Sequence, residues 1–255
     1  MPIFDDLNLY AMQEKSIQSL IHEDVVYAKV LDQLGVQFYE SRHKTLAELC
    51  SENNIDIERF LIILEKSNSR RTQEYLDLRN YPIRLIVAYL KHSHQIFVKD
   101  TLPYILKKVA ELEQNDTELV VDLQTVLPMF IEDFIHHIYE EEDRLFTYVC
   151  ELESAVNGLT DINTIKDKIE NFSIQEFALE HNDSDNEMKG IRGITNNYST
   201  VNVSNGKLEL LLTALRQFDE ELTRHAHIEN DILFAKAISM EKNVKQMLYS
   251  KAGMN

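Results

Sequence analysis

Two ten-residue stretches carry the residue types that could do chemistry. "HIYEEEDRLF", residues 137 to 146, and "HAHIENDILF", residues 225 to 234, each set a histidine four residues ahead of a glutamate. That spacing places imidazole and carboxylate one above the other on a single helix face. Both pairs lie in apolar stripes that advance in steps of three and four: Phe130, Phe134, His137, Glu141, Leu145, Tyr148, Leu152, and Leu208, Leu211, Leu215, Phe218, Leu222, His225, Glu229, Ile232. A stripe of this period faces a core. His137, Glu141, His225 and Glu229 are therefore expected inside. At ~100° per residue His227 is turned away by about 200° and His136 by about 100°, so His136 is read as a surface group and His227 as a surface group or a neighbour of the ligands. Glu140, Glu142 and Asp143 fall off the stripe and are read as solvated charges.

Two further stripes hold one histidine each. Val87, Leu90, His94, Val98 and Leu102 frame His94, and this frame is stronger than that of Leu85, Ala88 and Ile96 around the rival His92. Ile174, Phe177, His181, Met188 and Ile191 frame His181, with Asp185 four residues further on as another inward-facing candidate. A lone core histidine is more often hydrogen-bonded than metal-bound. Six polar groups converging on one core are a different case, because buried carboxylates need compensating charge and no lysine or arginine lies in these stripes. Imidazole and carboxylate together suit iron, manganese or zinc, and carboxylates set between two ions can bridge them. The expected occupant of His94, His137, Glu141, His181, His225 and Glu229 is a two-metal centre.

The elements that must position these groups follow from the same periodicity. The chain has 255 residues with 44% hydrophobic content, 6 glycines and 4 prolines, which points to an all-α globular protein. Four long amphipathic patterns, about 83 to 113, 119 to 152, 173 to 197 and 206 to 242, are separated by the polar stretches "EQNDTE", "NGLTDINTIKDK" and "NNYSTVNVSNG". This is the pattern of an antiparallel four-helix bundle. Residues 1 to 66 hold shorter helical pieces. Asp24 can cap one, Gly35 can end it, and Thr45 with Glu48 has capping-box spacing. The polar stretch 67 to 82, ending at Pro82, is expected to link this small domain to the bundle at 83 to 255.

A formal charge of −17 opposes binding to nucleic acid or to an anionic membrane surface. The densest basic spot, "SRRTQ" at 69 to 73, reads as a solvated turn. Cys50 and Cys150 are far apart without a CxxC neighbour, so neither a disulfide framework nor a thiolate metal site is expected. The start "MPIFDDLNLYAMQEK" has no basic n-region or apolar core, and nowhere do ~18 uninterrupted apolar residues occur. A reducing cytoplasm is the expected home.

With these residues in view, the chain resembles the hemerythrin-like, HHE cation-binding family, and within it the di-iron proteins that repair iron-sulfur clusters. "HIYEEEDRLF" looks like the family's H-x-x-x-E-E-x-x-L-F element, "HAHIENDILF" like its H-x-x-x-E-N-x-x-L-F partner, and "LEHND" with His181 like its third-helix E-H-D/N element. "YLKHSHQIFVKDTLPYI" resembles the first-helix pattern in which a histidine precedes an L-P dipeptide, and that alignment favours His94 over His92. It gives Asp185 no support. The resemblance implies that His94, His137, His181 and His225 are terminal ligands and that Glu141 and Glu229 bridge two iron ions. It also implies cycling between ferrous and ferric forms, oxygen or nitric oxide as diatomic ligand, and iron-sulfur proteins as clients. The set of four histidines and two glutamates is like that of the repair proteins and unlike that of the oxygen-carrying hemerythrins.

"VLDQLGVQFYESRHKTLAELCSENNID" is similar to the family's small N-terminal domain, V-L-x-x-x-G-I-D-F-C-C-G-G-x-x-T-L-x-E-A-C, with one departure. Tyr39 and Glu40 stand where the adjacent cysteines belong, and Ser41 and Arg42 replace the two glycines. Cys50 survives and reads as a small core residue. The degenerate domain is expected to dock a partner or to make a homodimer, without thiol chemistry. Two functions follow: a redox-active di-iron protein of the nitrosative or oxidative stress response that rescues iron-sulfur clusters, or a sensor of oxygen, nitric oxide or iron that binds without turnover.

Overall fold

A computed structural model describes residues 6–24, 26–36, 38, 41–69, 78–113, 117–184, 188–201 and 203–252. At 6–9, 22, 29, 66–69, 180–184 and 251–252 it describes the course of the backbone only. The described residues are all-α, with one isolated antiparallel bridge between Ser16 and Thr45 and no other extended pairing among them. They divide into two compact units, Met1–Leu76 with Ser199–Gln217 and Asp77–Tyr198 with Phe218–Asn255.

In the first unit, α1 (Asp6–Gln13), α2 (Ile17–Glu23), α3 (Val26–Gln33), α4 (Leu46–Glu52) and α5 (Ile57–Ser69) are short, and their ends are closed by specific side chains. The Ser16 hydroxyl accepts the Ser19 N–H at 3.2 Å. Thr45 and Glu48 form a full capping box, with Thr45 N–H donating to Glu48 at 2.8 Å and Glu48 N–H to the Thr45 hydroxyl at 3.2 Å. The two caps also serve each other: Ile17 N–H donates to the Lys44 carbonyl at 2.9 Å and Leu46 N–H to the Lys15 carbonyl at 3.1 Å. Two helix starts, each with orphaned donors, thus satisfy one another. Asp24 accepts the Val26 N–H at 2.8 Å to open α3, as its position predicts. Gly35, at φ 77°, closes α3 in the left-handed conformation that a side chain resists, and Val36 N–H returns to the Leu31 carbonyl at 3.0 Å. Ile17, Leu31, Leu46, Phe60 and Leu64 are fully buried in this unit's core, where Tyr27 stacks on Phe60 with 6.5 Å between ring centres. Cys50 sits there too, and burial pushes its thiol pKa up, which disfavours the reactive thiolate.

The second unit is the bundle. Its first arm runs through α6 (Ile83–Ile96), a π-helical segment Phe97–Thr101 and α7 (Leu102–Ala110). Its second runs through α8 (Glu118–Glu140), a π segment Glu141–Phe146 and α9 (Thr147–Val156). Because α7 packs on α8 and α6 on α9, the two arms are antiparallel. Pro82 precedes α6 and the first free N–H of that helix, Ile83, donates to Glu153 on α9 at 2.7 Å. Arg84 adds an ion pair to the same carboxylate at 3.1 Å. One helix end is thus closed by the neighbouring arm.

The polar stretch expected to be a plain loop after α9 instead holds a 3₁₀ turn Ile162–Ile165 and α10 (Lys166–Asn171). Ile162, Ile165 and Ile169 are its three buried anchors, spaced by three and four within a run too short to register as a helix pattern. The third arm comprises α11 (Ile174–Ser184) and α12 (Lys189–Ile194). The fourth comprises α13 (Gly206–Ile228), a π segment Glu229–Phe234 and α14 (Ala235–Ala252). α14 packs on α9 and α11, and the π segment Glu229–Phe234 on α6 and α11, so the four arms close round one core. Ile86, Leu90, Phe146, Leu152, Leu233 and Val244 are central to it.

After α12 the chain turns through Asn196, Asn197 and Tyr198 at φ 48°, 55° and 58°. Asparagine tolerates this left-handed region, whereas a tyrosine is held there only by its surroundings. Tyr198 N–H donates to the Thr195 hydroxyl at 3.1 Å, and the Tyr198 hydroxyl donates to Asp219 at 2.9 Å. Asp219 in turn accepts two bonds from Arg192, Nε at 2.6 Å and Nη2 at 2.8 Å. This bidentate pair ties α12 to α13.

Two predictions follow from these contacts. Glu153→Ala leaves the Ile83 N–H unmet and Arg84 without its partner, and should lower unfolding free energy by about 2 kcal/mol in urea titration. The phenols of Tyr148 and Tyr198 have pKa values raised by burial first and then by the carboxylates they donate to, Glu241 and Asp219. A raised folded-state pKa contributes stability that is complete below the unfolded value of about 10 and is lost as pH climbs beyond it. Thermal melts should therefore fall steeply above about pH 10, and Tyr198→Phe combined with Tyr148→Phe should flatten that fall.

Candidate metal centre

Three of the four arms deliver their polar groups to one buried point. His94 comes from the last turn of α6, His137 from the last turn of α8 with Glu141 opening the π segment behind it, and His225 from the end of α13 with Glu229 opening the next π segment. His94, Glu141, His225 and Glu229 are all buried, and one donor atom from each lies within 4.8 Å of the others. Glu141 and Glu229 are 2% and 1% exposed.

The contacts within the cluster are short. His94 Nε2 stands 3.0 Å from His225 Nε2 and 3.3 Å from Glu141 Oε2. The other oxygen of Glu141 lies 2.8 Å from His137 Nε2, so this one carboxylate reaches imidazoles from two helices. Glu229 Oε2 lies 3.7 Å from His225 Nε2. His137 is the most open member, with a quarter of its side chain exposed. A cavity of about 40 Å³ opens between these five residues, with Arg192 and Asp219 also on its wall. One water needs about 10–15 Å³ of such space, so the cavity has room for small occupants.

Aromatic rings seal the cluster. Phe97 meets His225 at 5.6 Å between ring centres and Phe146 stacks on His94 at 5.5 Å. Phe97, Phe134 and Phe218 pack on each other at 5.4 to 6.2 Å. Apolar walls of this kind keep the local dielectric low and strengthen each electrostatic contact inside.

The sequence-predicted residues therefore divide plainly. His94, His137, Glu141, His225 and Glu229 come together. His94 is buried and its rival His92 is exposed. His181 falls in α11, and its side chain lies outside the described residues, as does Asp185. His136 is exposed and His227 pairs with Asp231, in agreement with their reading as surface groups. Glu142 departs from expectation. Read as a solvated charge, it places Oε1 3.0 Å from His94 Nδ1, with 27% of its side chain exposed. An ideal α-helical wheel turns Glu142 away from Glu141, and the π segment that begins at Glu141 invalidates that wheel. The pairing of Arg192 with Asp219 on the cavity wall also escaped the sequence, where the only cue was the left-handed-tolerant dipeptide Asn196–Asn197.

The donor set fits a cation. If Nδ1 of His94 carries the proton shared with Glu142, its Nε2 presents a lone pair toward His225 Nε2 and Glu141 Oε2. Two imidazole nitrogens and two carboxylates facing one another at such distances, out of water, match the ligand chemistry of a transition-metal ion. Among the described residues no lysine lines this cavity, and the arginine on its wall is bound to Asp219.

No protein-family profile matches the chain. Among proteins of known name it is similar over most of its length to iron-sulfur cluster repair proteins. With that called YtfE from Pectobacterium atrosepticum it shares 22% identity over 84% of this chain and 91% of the relative. With ScdA from Staphylococcus epidermidis it shares 19% over 82% of this chain and 91% of the relative. With YtfE from Musicola paradisiaca it shares 21% over 90% of this chain and 98% of the relative. The chain is thus similar, at low identity and over most of its length, to iron-sulfur cluster repair proteins.

Proposed function

We propose that this protein is a non-haem di-iron protein that acts in the repair of iron-sulfur clusters under nitrosative or oxidative stress. The observation that carries the reading is the buried convergence of His94, Glu141, His225 and Glu229, with His137 on the second oxygen of Glu141. The kinship to named repair proteins supports it. In this reading His94, His137, His181, His225, Glu141 and Glu229 would hold the metal pair. Iron is the metal proposed, and manganese and zinc accept the same donors. Bound there, a pair of irons would supply one-electron chemistry and open positions for oxygen or nitric oxide.

The chain's own residues do the rest. Glu141, held between His94 and His137, spans two arms, so loading would fix α6 and α8 against each other. Phe97, Phe134, Phe146 and Phe218 exclude bulk water from the donors. Iron-sulfur proteins are the clients proposed.

A second reading, a sensor of oxygen, nitric oxide or iron, rests on one feature. Tyr39 and Glu40 occupy the positions of the adjacent cysteines in the family pattern, which removes thiol chemistry from the N-terminal domain. In that case the metal state would be relayed to a partner through this domain or through a homodimer.

Metal analysis of protein purified from iron-replete cells should give about two irons per chain, and Glu141→Ala or Glu229→Ala should lose at least half of it. Unchanged loading in both variants would sink the assignment. Anaerobic nitric oxide added to the reduced protein then separates the two readings: consumption over many turnovers marks catalysis, whereas uptake that stops at stoichiometric binding marks sensing.

A further inference from the structure

Glu141 and Glu142 are neighbours in sequence, yet they grip opposite nitrogens of the same ring. Glu141 Oε2 lies 3.3 Å from His94 Nε2, and Glu142 Oε1 lies 3.0 Å from His94 Nδ1. In an α-helix successive side chains diverge by about 100°, which would send one of the two away from His94. The π segment Glu141–Phe146 changes this. Bonding from i to i+5 puts more residues into each turn and so narrows the angle between neighbours. The wide turn is held by its own backbone and by the Thr147 hydroxyl, which donates to the Glu142 carbonyl at 3.3 Å.

Glu142 is not loosely placed. Its second oxygen lies 3.6 Å from Lys91 Nζ, one turn before His94 on α6, so two residues of one helix face this carboxylate from the next. His94 is fully enclosed, with Phe146 against its face and His225 at its edge. Its ring therefore has one polar contact pointing outward, to Glu142, and the rest pointing into the donor cluster. A carboxylate on Nδ1 takes the proton at that nitrogen, leaves Nε2 as the lone pair, and makes it a stronger donor.

We propose that Glu142 is a positioning residue for the metal centre: it fixes His94 as the Nδ1–H tautomer and aims Nε2 at the cluster formed with Glu141 and His225. This rests on the metal reading above, and the test separates the two. Two-bond ¹⁵N–¹H correlation spectra of the full-length, metal-free protein, at a pH where the imidazoles are neutral, report the tautomer of His94 without any metal. The wild type should show Nδ1–H, and Glu142→Ala should show a mixture or the reverse. Competition titration with zinc and ferrous ions should give a 10- to 100-fold loss of affinity in Glu142→Ala. Glu142→Gln, which keeps an accepting oxygen, should recover most of it.

An unchanged His94 tautomer in Glu142→Ala, or an unchanged affinity beside a changed tautomer, overturns the proposal. A wild type that binds neither metal while His94 still shows the Glu142-dependent tautomer instead overturns the metal reading and leaves the contact as a purely local one.

Discussion

The constraint that shapes the second unit is the burial of two carboxylates, Glu141 and Glu229, at a point where almost no surface is exposed. An isolated ionised carboxylate in such a place is too costly to keep, so the fold must bring compensating groups to it. It does so with imidazoles carried on three different arms. The need for convergence explains why α6, α8 and α13 all end or change pitch at the same level of the bundle. Phe97, Phe134 and Phe218 make the requirement stricter, since each ring that excludes water raises the cost of any charge left unmatched.

The three π segments belong to the same logic. Each begins at a site glutamate or follows closely on a site histidine: Phe97–Thr101 after His94, Glu141–Phe146 and Glu229–Phe234 at the glutamates themselves. The first has a local cause, because Pro103 lacks the N–H that would close an α turn and its ring crowds the carbonyl four residues back. The other two contain no proline. What they share is a pair of adjacent apolar residues that both go inside, Leu145 with Phe146 and Leu233 with Phe234. The wider turn narrows the angle between neighbours and so helps both members of each pair to face the core.

This also decides what was legible. Steps of three and four found His94, His137, Glu141, His225 and Glu229, since the histidines lie in α-helix and the two glutamates are the first residues of their π segments, one α turn after a histidine. The capping residues Asp24, Thr45 and Glu48 were legible for a local reason too: a side chain closing its own helix needs nothing from elsewhere in the chain. Glu142 was hidden because its role depends on a change of pitch that begins one residue earlier. Arg192, Asp219 and Tyr198 were hidden for a different reason, since they meet across 27 residues and through a left-handed turn that has no hydrophobic period. The helical run at 162 to 171 escaped because three isoleucines among polar residues are too few to set a period.

The N-terminal unit draws its order from the reciprocal caps at Ser16 and Thr45, the left-handed stop at Gly35 and an apolar core around Phe60 and Leu64. The remaining thiol of this unit, Cys50, is enclosed, and burial raises its pKa away from the reactive thiolate.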